Sequence, residues 1–229
     1  MRLATFLLAG DDRPRAGEVR DGEVVAFDSG TVLDRLATGD RRPATGPAFG
    51  LAEVTLLAPV PRPSGTFGIG RNYASHIAEL GNQPPKVPLV FMKPPGTSSP
   101  PSGPARRPAV TRKLDYEGEL AVVMGAEGGI AGWAVADDLT ARDLQDAEAQ
   151  WTRAKGFDGA CPWGPWITTT DELPDALGLR ITTYVNGEVR QDSSTADLIF
   201  GPQQLVDFIG EVIRLEPGDD RPRADEVGG

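Results

Sequence analysis

One cysteine, Cys161, and one histidine, His76, are all this chain offers for sulfur cross-linking or soft metal ligation. Neither a disulfide nor a Cys/His zinc cluster can form within one copy, and the shortage of thiols fits a reducing cytoplasm. Basic charge is scarce as well: 23 Lys and Arg stand against 33 Asp and Glu, a net charge of −10. This balance argues against nucleic acid and anionic membrane as partners, since neither would meet a basic patch. Small molecules and other protein subunits remain, and an anionic ligand stays admissible because a bound divalent ion inverts the local potential. No apolar run is long enough to span a bilayer. Met1-Arg2 and the apolar residues 3–10 resemble a secretory leader only faintly; the run is short, Asp11-Asp12 follow at once, and it reads as an N-terminal strand. Repeats and low-complexity tracts are absent.

What is abundant is turn-forming residues. The 28 Gly and 21 Pro make up about a fifth of the 229 residues, which favours short strands over long helices. Residues 1–57 read as a small β-rich domain with strands over 3–9 and 23–28 around the turn Asp21-Gly22, then a short helix. Pro59, Pro61 and Pro63 stiffen a linker over 58–65. Beyond it the pattern predicts strands over 66–70, 89–93, 119–124 and 130–136, and helices over 73–80, 140–151 and 203–213. Segments 94–108 and 157–166 read as loops forming the wall of a pocket, and Asn186-Gly187 joins 179–185 to 188–191 as a type I′ hairpin.

Three constellations carry chemistry. In Asp115-Tyr116-Glu117-Gly118-Glu119 the two glutamates lie two apart, on one face of a strand, with Gly118 leaving room for close approach. An isolated Glu-x-Glu is ordinarily solvent-facing. Here an apolar run over 120–124 follows without a break, and a third acid, Asp138, lies just past the next apolar strand. Three carboxylates in one place need a cation, and magnesium suits oxygen ligands while leaving positions open for a chelating substrate. Arg142 and Gln145 lie three apart near the start of the predicted helix, a place for a carboxylate and a carbonyl or enol, although an ordinary surface helix start would look the same. His76 and Glu79 form His-x-x-Glu, able to hold and activate a water; a structural histidine is the alternative. Lys155, after Trp151, reads either as a desolvated oxyanion binder or as a snorkelling surface lysine.

The segments Gly70-Arg71-Asn72-Tyr73-Ala74-Ser75-His76, Phe91-Met92-Lys93-Pro94-Pro95, Asp115-Tyr116-Glu117-Gly118-Glu119 and Asp138-Leu139-Thr140-Ala141-Arg142-Asp143-Leu144-Gln145 together resemble the fumarylacetoacetate hydrolase superfamily. Trp151-Thr152-Arg153-Ala154-Lys155, Gly164-Pro165-Trp166 and Val185-Asn186-Gly187-Glu188 extend the likeness in the same order. The resemblance implies a β-rich α+β fold, a mixed β-sandwich roll over 66–219 preceded by the small N-terminal domain. It implies Glu117, Glu119 and Asp138 as ligands of Mg²⁺, with Mn²⁺ or Ca²⁺ as substitutes, and His76, Glu79 and Lys155 as catalytic groups. Arg71, Arg142 and Gln145 fall to substrate binding, the substrate being a 2-oxo acid and the assembly a homodimer.

The resemblance also implies a Thr-Gly-Thr-Pro loop and closing strands after residue 219. Residues 220–229 are instead charged, with two Gly and one Pro, and read as an atypical tail. Three functions follow. The complete His76/Glu79 pair favours metal-dependent hydrolysis of C–C bonds in acylpyruvate-like 2-oxo acids. The others are a decarboxylase or isomerase/tautomerase of a 2-oxo or 2-hydroxydienoate diacid, and a non-catalytic scaffold derived from the enzyme.

Overall fold

A computed structural model of the chain describes residues 1–74 and 83–217. Strand β1 (Arg2–Leu8) organises the N-terminal part. Its nearly continuous apolar run suits a strand covered on both faces. Leu3 packs with Val32, Leu36 and Ile167 on one side, while Ala4 and Phe6 pack with Val19, Val24 and the partly buried Trp166 on the other. The polar exception, Thr5, is buried and donates its hydroxyl to the Pro59 carbonyl at 2.6 Å.

Local signals fix the neighbours of β1. Strands β2 (Arg15–Arg20) and β3 (Glu23–Ala26) join through Asp21-Gly22, whose φ of 53° and 82° are those of a tight hairpin. Helix α1 (Val32–Thr38) starts with a capping box: the Asp34 carboxylate accepts from the Thr31 backbone at 2.7 Å and the Thr31 hydroxyl accepts from the Asp34 backbone at 3.1 Å. Gly39, at φ 66°, ends it. Strand β4 (Ala48–Gly50) pairs with β3, and β5 (Val54–Leu56) pairs with the far half of β1.

From residue 66 onward, β6 (Thr66–Gly70) and β7 (Leu89–Lys93) form a ribbon. The short β8 (Ser98–Ser99) runs parallel to β13 (Cys161–Thr169), and β9 (Leu114–Asp115) pairs with β12 (Thr140–Ala141). Strands β10 (Gly118–Met124) and β11 (Ile130–Asp137) are antiparallel, with Glu119 opposite Ala136. Helices α2 (Arg142–Ala147) and α3 (Thr152–Lys155) follow. The hairpin of β14 (Arg180–Val185) and β15 (Glu188–Ser194) turns at Asn186-Gly187, and α4 (Pro202–Gly210) comes last.

The main sheet runs β10-β11-β13-β1-β2-β3-β4, so β13 and β1, from either side of the Pro-rich segment, are neighbours in one sheet. The β-rich expectation is met. Two local expectations are not. Residues 157–166 are largely strand: β13 occupies the middle of the sheet although Pro162 and Pro165 lie within it. The predicted helix over 140–151 is divided, because Thr140 and Ala141 pair with β9, and the helix after them closes when the Glu148 amide donates to the Leu144 carbonyl. Most of the helix expected over 73–80 lies outside the described residues. Among the described residues no helix is long and apolar enough to cross a membrane.

Candidate active site

The open ends of β10 and β11 carry the acids. Their register places Gly118 opposite Asp137 and so brings Glu117 beside Asp138, whose amide donates to the Glu117 carbonyl at 2.9 Å. The Asp137 side chain locks this arrangement by accepting from the Glu117 amide at 2.8 Å.

Cations fill the space between the acids. Lys155, buried at the end of α3, donates to Glu117 Oε2 at 2.6 Å, Asp138 Oδ2 at 2.7 Å and Thr140 Oγ1 at 2.9 Å. Those three bonds use every proton of the ammonium. The snorkelling alternative is thereby removed. Arg142 pairs with Glu117 Oε1 at 2.6 Å and donates to Asp115 Oδ2 at 2.8 Å and Gln145 Oε1 at 3.0 Å, so the two residues expected to meet a substrate are bonded to each other.

Lys93, at the end of β7, is a residue that the sequence alone does not single out. It is 2% exposed, pairs with Asp138 Oδ1 and donates to the Ala160 carbonyl at 3.0 Å. A signal exists: a lysine closing an otherwise apolar strand just before Pro94-Pro95. Tyr73 is a second such residue. Its hydroxyl is buried near Glu119 and the Leu120 amide without completing a hydrogen bond to either, and burial with the Glu119 charge raises the phenol well above its ordinary value.

Glu119 differs from its neighbours in having no cation within ion-pair distance among the described residues. Burial, then the Glu117 and Asp138 charges, push its carboxyl up to about 8, and Lys155 only partly offsets them. Glu119, Asp138, Lys93, Asn72 and Tyr73 border a cavity of about 460 Å³ that continues along β10 to α4. Glu117, Lys155, Arg142 and Gln145 stand behind Asp138 and do not line it. Arg71 is exposed at φ 58° at the end of β6 and is not brought into the cluster. His76 and Glu79 lie outside the described residues.

Among the described residues no group of three or more His, Cys, Asp or Glu side chains stands ready to grip a metal ion; Glu117 and Asp138 are instead bridged by the Lys155 ammonium. The donor set still fits a hard divalent cation in its chemistry. It consists of three carboxylates with no softer ligand, and the proton affinity of one of them, Glu119, is raised first by burial and then by the charge of the other two.

A family model for the fumarylacetoacetate hydrolase C-terminal domain matches residues 65–219. The chain belongs to the fumarylacetoacetate hydrolase family. A Mycobacterium tuberculosis protein is 41% identical over 185 residues, covering 76% of this chain and 69% of its own length. An oxaloacetate tautomerase of Bacillus subtilis is 37% identical over 185 residues, covering 75% of this chain and 62% of the tautomerase. Among solved structures, a fumarylacetoacetate hydrolase from Exiguobacterium antarcticum aligns with a TM-score of 0.82 at 32% identity, over 96% of this chain and 84% of that one. A Sphingobium maleylpyruvate hydrolase, solved with manganese(II) and pyruvate, aligns with a TM-score of 0.75 at 28% identity, over 96% and 86%. The family resemblance read from the motifs is thereby established, and the family's members are enzymes: hydrolases, isomerases and tautomerases.

Proposed function

We propose that this family member is a metal-dependent hydrolase of acylpyruvate-like 2-oxo acids. One observation carries the reading: Lys93 lines the cavity with Glu119 and Asp138 and among the described residues retains one uncommitted N–H, since Asp138 and the Ala160 carbonyl take only two of its three. A buried ammonium with a spare donor is suited to an oxyanion or enolate, where a low-dielectric site makes the charge interaction strong. Lys155, whose donors are all engaged, takes the supporting role of holding Glu117 and Asp138 together.

Glu117, Glu119 and Asp138 are the residues that would hold Mg²⁺ or Mn²⁺, and Lys155 must give way for them to do so. Such an ion, when bound, supplies Lewis-acid polarisation of the 2-oxo acid's oxygens. On this reading His76 and Glu79 take a proton from water as its oxygen bonds to the acyl carbon. The C–C bond then breaks with its electron pair moving to the pyruvate fragment, whose enolate oxygen Lys93 receives, and a proton on C3 completes pyruvate beside the released carboxylic acid. The protein acts on this reading as a cytoplasmic homodimer.

Tautomerisation of a 2-oxo acid is the second reading. It uses the same enolate without water, and the Bacillus subtilis oxaloacetate tautomerase favours it. Acetylpyruvate with Mg²⁺ separates the two: pyruvate and acetate in equal amounts, lost on chelation of the ion, are expected for hydrolysis. Unchanged acetylpyruvate together with accelerated enol-to-keto conversion of oxaloacetate would replace the hydrolase reading by the tautomerase.

A further inference from the structure

The cavity beside the acids changes character along its length. Strand β10 sets the scale: Glu119 stands near its start and Met124 at its end, about 16 Å apart at the usual rise of a strand. At the first end are Lys93, Glu119, Asp138 and the unpartnered Tyr73 hydroxyl. Further along, the wall is residues 120–124 of β10, met along the edge that this strand leaves open among the described residues, with Leu205 and Ile209 from α4, and Leu215. Leu215 belongs to the far end, because its carbonyl lies against Gly128 in the turn that joins β10 to β11. At about 460 Å³ the cavity falls within the range of sites that enclose a small molecule.

Charge is missing where a second acid group would need it. Apart from Lys93, the basic side chain lining the cavity among the described residues is Arg214, which is exposed and already paired with Glu216 at 2.5 Å. A distal carboxylate would thus leave water for an apolar wall without a partner, which is strongly unfavourable. An alkyl or aryl group would exchange water for the apolar side chains of that wall.

We propose that the ligand of this cavity is a 2-oxo acid with an uncharged apolar tail, its oxo-acid end at Lys93 and its tail along β10 and α4, rather than a dicarboxylate. This rests on the 2-oxo acid reading above and narrows it. Because the oxo-acid end is shared by all candidates, affinity depends on the tail, and each methylene buried adds a near-constant factor.

The test is calorimetric titration of the full chain, with Mg²⁺ present, by pyruvate, 2-oxobutanoate, 2-oxohexanoate and 2-oxooctanoate, with 2-oxoglutarate as the dicarboxylate and octanoate as the acid lacking the oxo group. The expected result is tightening by about threefold per methylene, with 2-oxohexanoate well ahead of 2-oxoglutarate. Leu205→Asp is expected to flatten the series. A flat series in the wild-type chain, or 2-oxoglutarate tighter than 2-oxohexanoate, overturns the apolar tail and leaves the hydrolase reading intact if acetylpyruvate is still cleaved. Octanoate binding as tightly as 2-oxooctanoate would show that the oxo acid is not recognised, and would overturn both. Since the wild-type series decides the question, the outcome does not depend on whether the variant folds.

Discussion

Strands β1 and β10 are each seven residues long and similarly apolar, yet they occupy opposite situations. β1 lies inside the sheet, with β2 on one side and β13 and β5 on the other, and residues 3–6 are buried. Among the described residues β10 is an edge strand paired with β11 alone in that sheet. Its first residue is covered by a side chain: the Gln191 amide accepts from the Gly118 N–H at 2.8 Å and donates to the Gly118 carbonyl at 2.7 Å. Past that point β10 borders the cavity, and most of its residues keep some exposure. The same apolar composition therefore serves as core in one place and as the wall of a cavity in the other. Covering both faces and both edges makes β1 structural, whereas an edge left open among the described residues, beside unevenly paired charges, makes β10 the border of a cavity.

The largest expected effect separates the strands directly. Phe6→Ala empties a fully buried position in β1 and should cost about 3–5 kcal/mol, while Val122→Ala on the cavity wall should cost under ~1.5 kcal/mol; urea unfolding of both variants measures the gap, and equal costs would erase the distinction. Next comes the shared acid. Asp138→Asn removes a charge that Lys93 and Lys155 both contact, leaving two buried ammonium groups with fewer partners, a loss of roughly 3 kcal/mol together with loss of divalent-ion binding. Full retention of ion binding in a calorimetric titration would remove Asp138 from the ligand set.

The pH dependence has a definite sign. Glu119 has an ordinary value of 4.5 and is raised to about 8 in the folded chain, so between these values the folded state holds the proton that the unfolded state has released. Unfolding free energy must then fall as pH rises through that window. In metal-free protein the Tm should drop by several degrees from pH 5 to pH 8, and Glu119→Gln should flatten the curve; a slope unaffected by that substitution would mean that another group carries it. Arg180→Ala gives the smallest change. Its ion pair with Asp192 on the exposed hairpin, at 2.7 Å, is screened by solvent, and its loss should shift Tm hardly at all in a thermal melt.

Several parts of this arrangement are legible in the amino-acid sequence alone. Asn186-Gly187 announces its hairpin and Asp21-Gly22 its turn, because left-handed turn conformations are local properties. The position of β13 is hidden by Pro162 and Pro165, which locally argue against a central strand. Lys93 escapes notice because a lysine in sequence carries no sign of the Asp138 carboxylate, 45 residues away, that makes its burial tolerable. Arg71 fails in the opposite direction: it sits within a telling motif, but its positive φ and exposed side chain leave it outside the cluster.

By itself the sequence determined the β-rich class, the family and the tight turns, since each depends on residue type and short spacing. Tertiary structure alone decided how the charges are shared. Glu117 and Asp138 are held by Lys155, Lys93 and Arg142, while Glu119 has no ion-pair partner among the described residues and a raised proton affinity. It also decided that one apolar strand would be core and another the wall of a cavity. The physical reason is common to both: burial and pairing depend on which distant segments meet, and residue type sets only what such a meeting costs or gains.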